Sequence, residues 1–545
     1  MSAQIILACL IACAGRWSGV ARAAALRVSV FGLLLASDGL SLPAASLGTE
    51  IDELLGRPIA RQAFWGVHVR DLDSGETLYD HHGEKLFVPA SNAKLFSTAL
   101  GLARLGVNYQ FTTSVVSKGV PTQDGIVTGD LVLVGGGDPN LSSRVIPYNP
   151  RKAFEKDPMV PLAELARQII EAGIRRVEGN LVGDDSRYVR QNYGDGWSWG
   201  DTNWGYGAPV GALCFNDNQF EILVQPGAAA GRPARLTLRP DIAYYRLENH
   251  TRTAATRTVA QGLELDRDPG TRSVRLWGEI AIRSPGRTFS VAVDDPALFA
   301  VFALRGELEK RGVTVTGEVL SRHAWPWEHN SLKRASFPRK PPEGQQVASI
   351  QSARLVEGLR VINKDSQNLH AEMLLREVGF VMRNVGSSEA GLEELEDFLE
   401  EAGLNRQEFE FADASGLSRK DLVSPSGTVQ LLTHMWNSAQ RDDYLETLPV
   451  AGEDGTLDWR FSRTTARGRI RAKTGTLGHV TALSGYATTE DGRNLAFSIY
   501  VNNFSVAGSY IRSLVDRIVV AMIQARPEEA GQVSSGASSV TGALK

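Results

Sequence analysis

The chain has 545 residues, with 58 Lys and Arg against 62 Asp and Glu for a formal charge of −4. At about 150 residues per domain this length allows several domains, and the near-balanced charge excludes a phosphate-tracking surface, so no nucleic-acid partner is expected. Hydrophobic residues at 43 % and charged residues at 22 % exclude a wholly disordered, fibrous or coiled-coil chain, and three cysteines exclude a disulfide scaffold.

The N-terminal region carries two short apolar runs, Ile5 to Ala14 and Val28 to Leu35, separated by Arg16, Arg22 and Arg27. The second leads into Ser41-Leu42-Pro43-Ala44-Ala45-Ser46. Positive charge, apolar run and small-residue site are the parts of a secretory signal. Neither run reaches the ~20 residues that cross a bilayer. Residues 1–45 are therefore expected to be an export signal, with no transmembrane span and with the mature chain in the periplasm or cell envelope. Cys9 and Cys13 fall in that leader, and Cys214, after an apolar run, reads as a small buried hydrophobe.

Phe64 to Arg70 alternates as a strand, Asp73-Ser74-Gly75 is a turn and Thr77 to Tyr79 returns, a β-hairpin. Pro89-Ala90 then opens a helix whose Leu95, Ala99 and Leu102 share one face. Short strands dominate from Phe111 to Leu320, broken by helices at Pro161 to Gly173 and Pro296 to Arg311. From Ser349 the texture turns helical, with helices over Ala353 to Val361, Asn368 to Val378 and Glu389 to Ala402. Strand patterns follow at Gly468 to Lys473, Val480 to Ala487 and Asn494 to Asn502, then an amphipathic helix from Ser509 to Ala525 and a Ser/Gly/Ala tail over 527–545.

Three short motifs carry chemistry. Ser91-Asn92-Ala93-Lys94 opens the first helix, so residues i and i+3 share a face and the lysine amine can reach the serine hydroxyl. A buried lysine near other positive charge loses its proton more readily and can serve as base for that serine. Ser366-Gln367-Asn368, between two helical patterns, offers a hydroxyl and an amide to one pocket. Lys473-Thr474-Gly475-Thr476 lies on a strand, where a lysine and a hydroxyl can flank a bound carboxylate while Gly475 permits close backbone approach. Ser-x-x-Lys, Ser-x-Asn and Lys-Thr-Gly in that order form the β-lactamase and penicillin-binding set.

On these motifs the sequence resembles the class C low-molecular-mass penicillin-binding proteins, the D-alanyl-D-alanine carboxypeptidases/endopeptidases of cell-wall metabolism. Gly135-Gly136-Gly137-Asp138-Pro139, Ala208-Pro209-Val210-Gly211-Ala212-Leu213 and Asp413-Ala414-Ser415-Gly416-Leu417-Ser418-Arg419 extend the likeness. Ser91 and Ser366 stand 275 positions apart, far more than in compact β-lactamases. The resemblance therefore implies an α/β (α+β) chain: a β-lactamase/transpeptidase-like domain, an antiparallel sheet flanked by helices, split by a large strand-rich insertion. The expected partition is 49–110 and 346–526 for the catalytic domain and 111–345 for the insert.

The resemblance further implies acylation of Ser91, with Lys94 as its base, Ser366 and Lys473 relaying a proton to the leaving amine, and Asn368 holding the substrate amide. Lys473 and Thr474 would bind the terminal carboxylate, Gly475 would give the backbone room, and the N–H groups of Ser91 and Thr476 would form an oxyanion hole. Arg419 with Asp184 or Asp185 would pair with the zwitterionic end of a diaminopimelate side chain. Peptidoglycan stem peptides are the implied substrate and β-lactam antibiotics the implied covalent inhibitors; no cofactor is implied. Ala414 departs from the family's commoner glycine. The alternatives are an esterase or β-lactamase on the same scaffold, or a catalytically silent peptidoglycan-binding or β-lactam-sensing protein.

Other signals are weaker. Gly196-Trp197-Ser198-Trp199-Gly200 fits the G-x-S-x-G nucleophile elbow, yet turn formers on both sides deny it the required strand and helix. Trp197, Trp199 and Trp204 are read as packing of a loop. His81-His82 near Asp80 and Glu84 matches no ligand spacing, so no metal is expected.

Overall fold

The computed structural model describes residues 46–526, apart from 153, 156, 257–260, 269 and 341. The leader with Cys9 and Cys13, and the tail over 527–545, lie outside the described residues.

Five antiparallel strands form one sheet, in the spatial order Ile470–Leu477, Val480–Thr488, Asn494–Asn502, Phe64–Asp71 and Thr77–His81. Phe64–Asp71 pairs with Asn494–Asn502 in full register, so distant parts of the sequence close one sheet. Successive strand side chains point to opposite faces. Leu483 and Ala487 accordingly pack with Ile51 of the helix Leu47–Leu55 and with Ile511, Val515 and Ile518 of the helix Gly508–Gln524. Ala482 and Tyr486, on the other face, join Phe96 and Leu100 of the helix Ala93–Leu105, Leu374 and Leu375 of the helix Asn368–Arg383, and Leu432 of the helix Pro425–Trp436. Both faces are covered, which is why Asn494–Asn502 is buried almost throughout rather than at alternate positions. Truncating a side chain such as Leu100 to Ala would remove about 2–5 kcal/mol.

A second core belongs to the inserted region. Its sheet runs Val319–Ala324, Leu181–Val189, Leu131–Val134, Thr112–Ser117, Gln345–Gln351, with parallel pairing around Leu181–Val189 and antiparallel pairing elsewhere. The helices Val160–Glu171 and Pro296–Lys310 bury Leu165, Ile169, Phe299 and Leu304 against Val115, Leu131 and Leu133. Asp295 caps the second of these helices by accepting from the Leu298 N–H at 3.0 Å, with Pro296 in its first turn.

The strands Thr112–Ser117 and Gln345–Gln351, far apart in sequence, pair with each other from Gln351 against Thr112 to Gln345 against Ser117. A β-lactamase/transpeptidase-like domain split by a strand-rich insertion is thus the architecture. Gln345–Gln351 is the edge strand of this second sheet, and the next helix runs Leu355–Lys364. Cys214 is buried in a small apolar cluster with Tyr188, Val210 and Met373.

Candidate active site

Ser91 lies in a tight 3-10 turn, Ala90–Asn92, that leads directly into the helix Ala93–Leu105. Ala90 holds φ at +48°, a left-handed value that a residue with a side chain adopts at an energetic cost and that points to a functional constraint. Two glycines accommodate this turn. A β-carbon on Gly416, itself at φ +77°, would come within 1.8 Å of the Ala90 carbonyl oxygen, and one on Gly475 within 2.6 Å of that of Pro89. The Asn92 amide nitrogen donates to the Lys473 carbonyl at 2.8 Å while its oxygen accepts from the Ser484 hydroxyl at 2.7 Å, tying the first motif to the strand of the third.

Lys94 is completely buried. Its Nζ is 2.9 Å from Ser91 Oγ, 2.6 Å from Asn368 Oδ1 and 2.5 Å from the Ser415 carbonyl. The Asn368 amide is oriented from its other end, since Nδ2 donates to the Tyr206 carbonyl at 2.8 Å. A neutral amine has two N–H groups and one lone pair. With Asn368 and Ser415 taking the N–H groups, the lone pair faces the Ser91 hydroxyl. Burial lowers the Lys94 pKa to about 7, outweighing the upward pull of Asp413, Glu372 and Asp421.

Lys473 Nζ donates to Ser366 Oγ at 2.9 Å and to the Thr474 carbonyl at 2.8 Å. It too is fully buried, and burial, followed by the neighbouring Lys94, holds its pKa well below the usual lysine range. Ser366 stands at φ +60° just before the helix Asn368–Arg383, which Gln367 caps by accepting from the Leu369 N–H at 3.0 Å.

The segment after Asp413 forms the facing wall. One carboxylate, that of Asp413, accepts the N–H groups of Ser415 (3.1 Å), Gly416 (2.7 Å) and Ser418 (2.8 Å) and the Trp197 indole at 2.7 Å. Glu372 accepts from Ala414 and Ser415 N–H at 2.9 and 3.0 Å, so the loop is held at Ala414 without a glycine there. Arg419, at the exposed end of this loop, donates to the Gly478 carbonyl at 3.0 Å.

A cavity of about 390 Å³ brings these groups together: Ser91, Ser366, Asn368, Arg419 and Thr476 all line it. Thr474 sits beside it with its hydroxyl bonded to that of Thr456 at 2.8 Å. Asp184 and Asp185 are not in it. Both are buried on the insert strand Leu181–Val189, Asp184 paired with Arg322 at 3.0 Å and Asp185 with His323 at 2.7 Å. The carboxylate that shares the cavity with Arg419 is Asp201, whose Oδ1 accepts from the Tyr206 hydroxyl at 2.9 Å. Ser198 and Tyr206 line the same cavity. Sequence reading missed Asp201 and Tyr206, and weighed Ser198 only as part of the G-x-S-x-G match, because they lie in a loop with no other pattern than turn formers and aromatics. The only signal was Ser198 three positions before Asp201, which form a capping box around the 3-10 turn Trp199–Asp201. The same turn removes the strand-to-helix setting that a nucleophile elbow at Ser198 requires. Trp197 serves loop packing through its bond to Asp413.

Comparison with known proteins gives the family and the fold of the chain. The family model described as "D-Ala-D-Ala carboxypeptidase 3 (S13) family" matches residues 47–522. A D-alanyl-D-alanine carboxypeptidase of Actinomadura sp. (strain R39) is 34 % identical over 470 residues, covering 84 % of this chain and 81 % of the relative. The D-alanyl-D-alanine carboxypeptidase DacB of Haemophilus influenzae is 27 % identical over 448 residues, covering 81 % and 85 %. The crystal structure of penicillin binding protein 4 (dacB) from Haemophilus influenzae superposes with a TM-score of 0.72 at 24 % identity, covering 87 % of this chain and 98 % of that one, which establishes the shared fold. The chain belongs to the D-Ala-D-Ala carboxypeptidase 3 (S13) family, the serine carboxypeptidases among the class C low-molecular-mass penicillin-binding proteins.

Proposed function

We propose that the chain removes the terminal D-alanine from peptidoglycan stem peptides through an acyl-enzyme on Ser91. The observation that carries this reading is the contact of Ser91 Oγ with the Nζ of a buried Lys94 at 2.9 Å, in a cavity that also holds Ser366, Asn368 and Thr476. Lys94, close to half-neutral near pH 7, takes the Ser91 proton as the hydroxyl attacks the carbonyl between the two D-alanines. The N–H groups of Ser91 and Thr476 receive the developing oxyanion. Ser366, hydrogen-bonded to Lys473, passes a proton to the leaving amine. Asn368 holds the substrate amide, Lys473 and Thr474 take the terminal carboxylate beside Gly475, and water then releases the acyl group. A β-lactam acylates the same hydroxyl, but its expelled group stays tethered and its release is slow.

Arg419 and Asp201 supply one cation and one anion to the same cavity, which suits the zwitterionic end of a diaminopimelate side chain on the acyl donor. Cleavage of D-alanyl cross-links needs the same acyl donor and no further chemistry. Because this substrate lies outside the cytoplasmic membrane, we assign the chain to the periplasm or cell envelope; among the described residues no helix is long and apolar enough to cross a membrane. Residues 49–110 and 346–526 make up the catalytic domain in this assignment, and 111–345 the insert. The test is to incubate the protein with a fluorescent penicillin and, separately, with a diaminopimelate-containing pentapeptide. Covalent labelling together with D-alanine release is expected. Labelling without D-alanine release would favour a sensor, and rapid penicillin turnover a β-lactamase.

A further inference from the structure

A second cavity lies one hydrogen bond away from the third motif. It has a volume of about 440 Å³ and is lined by Tyr148, Arg151, Asp365, Glu453, Thr456 and Asp458, among others. Two links join it to the catalytic residues. Thr456 on its rim shares a hydrogen bond of 2.8 Å with Thr474, and Asp365 in its wall immediately precedes Ser366. Thr474 and Thr476 stand two apart on one strand, so they project from the same face. The Arg419 cavity lies toward Thr476, Leu477 and Gly478, and the second cavity lies toward Thr474. The acyl donor occupies the Arg419 side in the reading above. In that reading the group leaving the Ser91 carbonyl departs on the Thr474 side, the side linked through Thr456 to the second cavity.

The charges in this cavity divide into two kinds. Lys364 is neutralised by Asp454 at 2.6 Å, and Asp365 by Arg144 at 2.8 Å and by the Tyr148 hydroxyl at 3.0 Å; these groups build the wall. Arg151, Glu453 and Asp458 are exposed, and their side chains have no hydrogen-bond or ion-pair partner among the described residues. A lone D-alanine extends only one residue beyond the scissile bond and, with its carboxylate on Thr474, cannot fill this space. A cavity of this size holding one free cation and two free anions matches a longer leaving group with its own carboxylate and its own ammonium or amide N–H groups.

Resting on the proposed carboxypeptidase reading, we propose that this cavity is the leaving-strand subsite for a D-alanyl cross-link between two stem peptides. Arg151 receives a carboxylate of the departing peptide, and Glu453 and Asp458 receive its N–H groups. The bond chemistry is that of the carboxypeptidase step: the amide C–N bond breaks, the Ser91 ester forms, the departing amine takes a proton, and water later hydrolyses the ester.

The test uses two substrates with the same acyl donor, a monomeric pentapeptide and a D-alanyl cross-linked dimer, with the full chain and with Arg151→Glu and the double variant Glu453→Gln/Asp458→Asn. These are surface changes, and a thermal scan checks the fold of each variant. The expected result is pentapeptide kcat/KM unchanged and dimer kcat/KM reduced about tenfold, the effect of losing a charged contact with the leaving strand. Equal losses on both substrates, or no loss on the dimer, would overturn the subsite. So would an unaltered chain that trims the pentapeptide and leaves the dimer intact. Failure on both substrates would instead overturn the carboxypeptidase reading beneath it.

Discussion

Asp217, a residue of the insert, accepts a hydrogen bond at 3.1 Å from the side-chain nitrogen of Gln367, the central residue of the Ser-Gln-Asn motif. The same carboxylate takes Arg144 at 2.6 Å and His370 Nε2 at 3.0 Å. Burial alone would raise the Asp217 pKa, but Arg144 and His370 hold it well below the usual carboxylate range. Asn216, Asp217 and Asn218 all sit in the left-handed region, at φ +51°, +54° and +51°, a conformation that costs of order 1–3 kcal/mol per residue and persists only where surrounding contacts enforce it. Together with the Tyr206 carbonyl on Asn368, these bonds mean that the insert holds the Ser366-Gln367-Asn368 motif in place.

Asp217→Asn should therefore slow penicillin acylation about 10–100-fold, as small misplacements of reacting groups do. It acts through position, so kcat should fall while KM for the pentapeptide stays within a small factor. Breaking the buried pair also costs about 3–5 kcal/mol of stability, so rates are to be read well below the thermal transition. A lowered transition with unchanged acylation would leave Asp217 a purely structural role.

The pH dependence of acylation follows from Lys94. Its buried amine has a pKa of about 7, so the neutral base is scarce at pH 5.5 and prevalent at pH 8.5. The second-order rate constant for penicillin acylation should rise through pH 7 and level above it, as measured by stopped-flow labelling. Lys94→Arg, which keeps its proton, should lower the plateau rate above pH 7 by about 10²–10⁴ and abolish the rise through pH 7. A flat profile between pH 5.5 and 8.5 would remove Lys94 as the base.

Much of this was legible in the sequence. The nucleophile helix was visible because Leu95, Ala99 and Leu102 repeat with helical spacing, and all are buried on it. The three motifs come together in the fold, with Lys94 on Ser91 and Asn368, and Lys473 on Ser366. What escaped depends on long-range pairing. Gln345–Gln351 gives no sign in its own residues that it pairs with Thr112–Ser117. Asp184 and Asp185 looked available because their partners, Arg322 and His323, lie 138 positions away on an adjacent strand. Asp201 reaches the Ser91 cavity only through the path of an irregular loop, which no local pattern encodes.

Specificity for the acyl donor should reside in Arg419 and Asp201. Arg419→Ala should lower kcat/KM for a diaminopimelate pentapeptide about tenfold or more while changing penicillin acylation less than about threefold, since penicillin carries no zwitterionic side chain. Asp201→Asn should show the same selectivity. Equal losses for peptide and penicillin would mean that both residues shape the cavity rather than read the substrate.

The insert contains a titrating group of its own. Burial would lower the His323 pKa, but its bonds to Asp185 and Asp295 raise it to about 9 from the ordinary 6.5. The folded chain thus keeps this proton to a higher pH than the unfolded chain, and the stabilisation is fully present below pH 6.5 and is lost as the pH rises through 9. His323→Gln should lower the melting temperature at pH 6 and differ little from the unaltered chain at pH 9.5. A difference constant across that range would contradict the ion-pair origin of the shift.

Ser91 bears the whole chemical proposal, and one mass measurement tests it. Brief exposure to benzylpenicillin, followed by intact-mass analysis and peptide mapping, should give one penicilloyl adduct per chain, located on the peptide containing Ser91 and absent from a Ser91→Ala variant with a nearly unchanged thermal transition. No adduct on the unaltered chain, or an adduct that persists in the variant, would contradict Ser91 as the nucleophile.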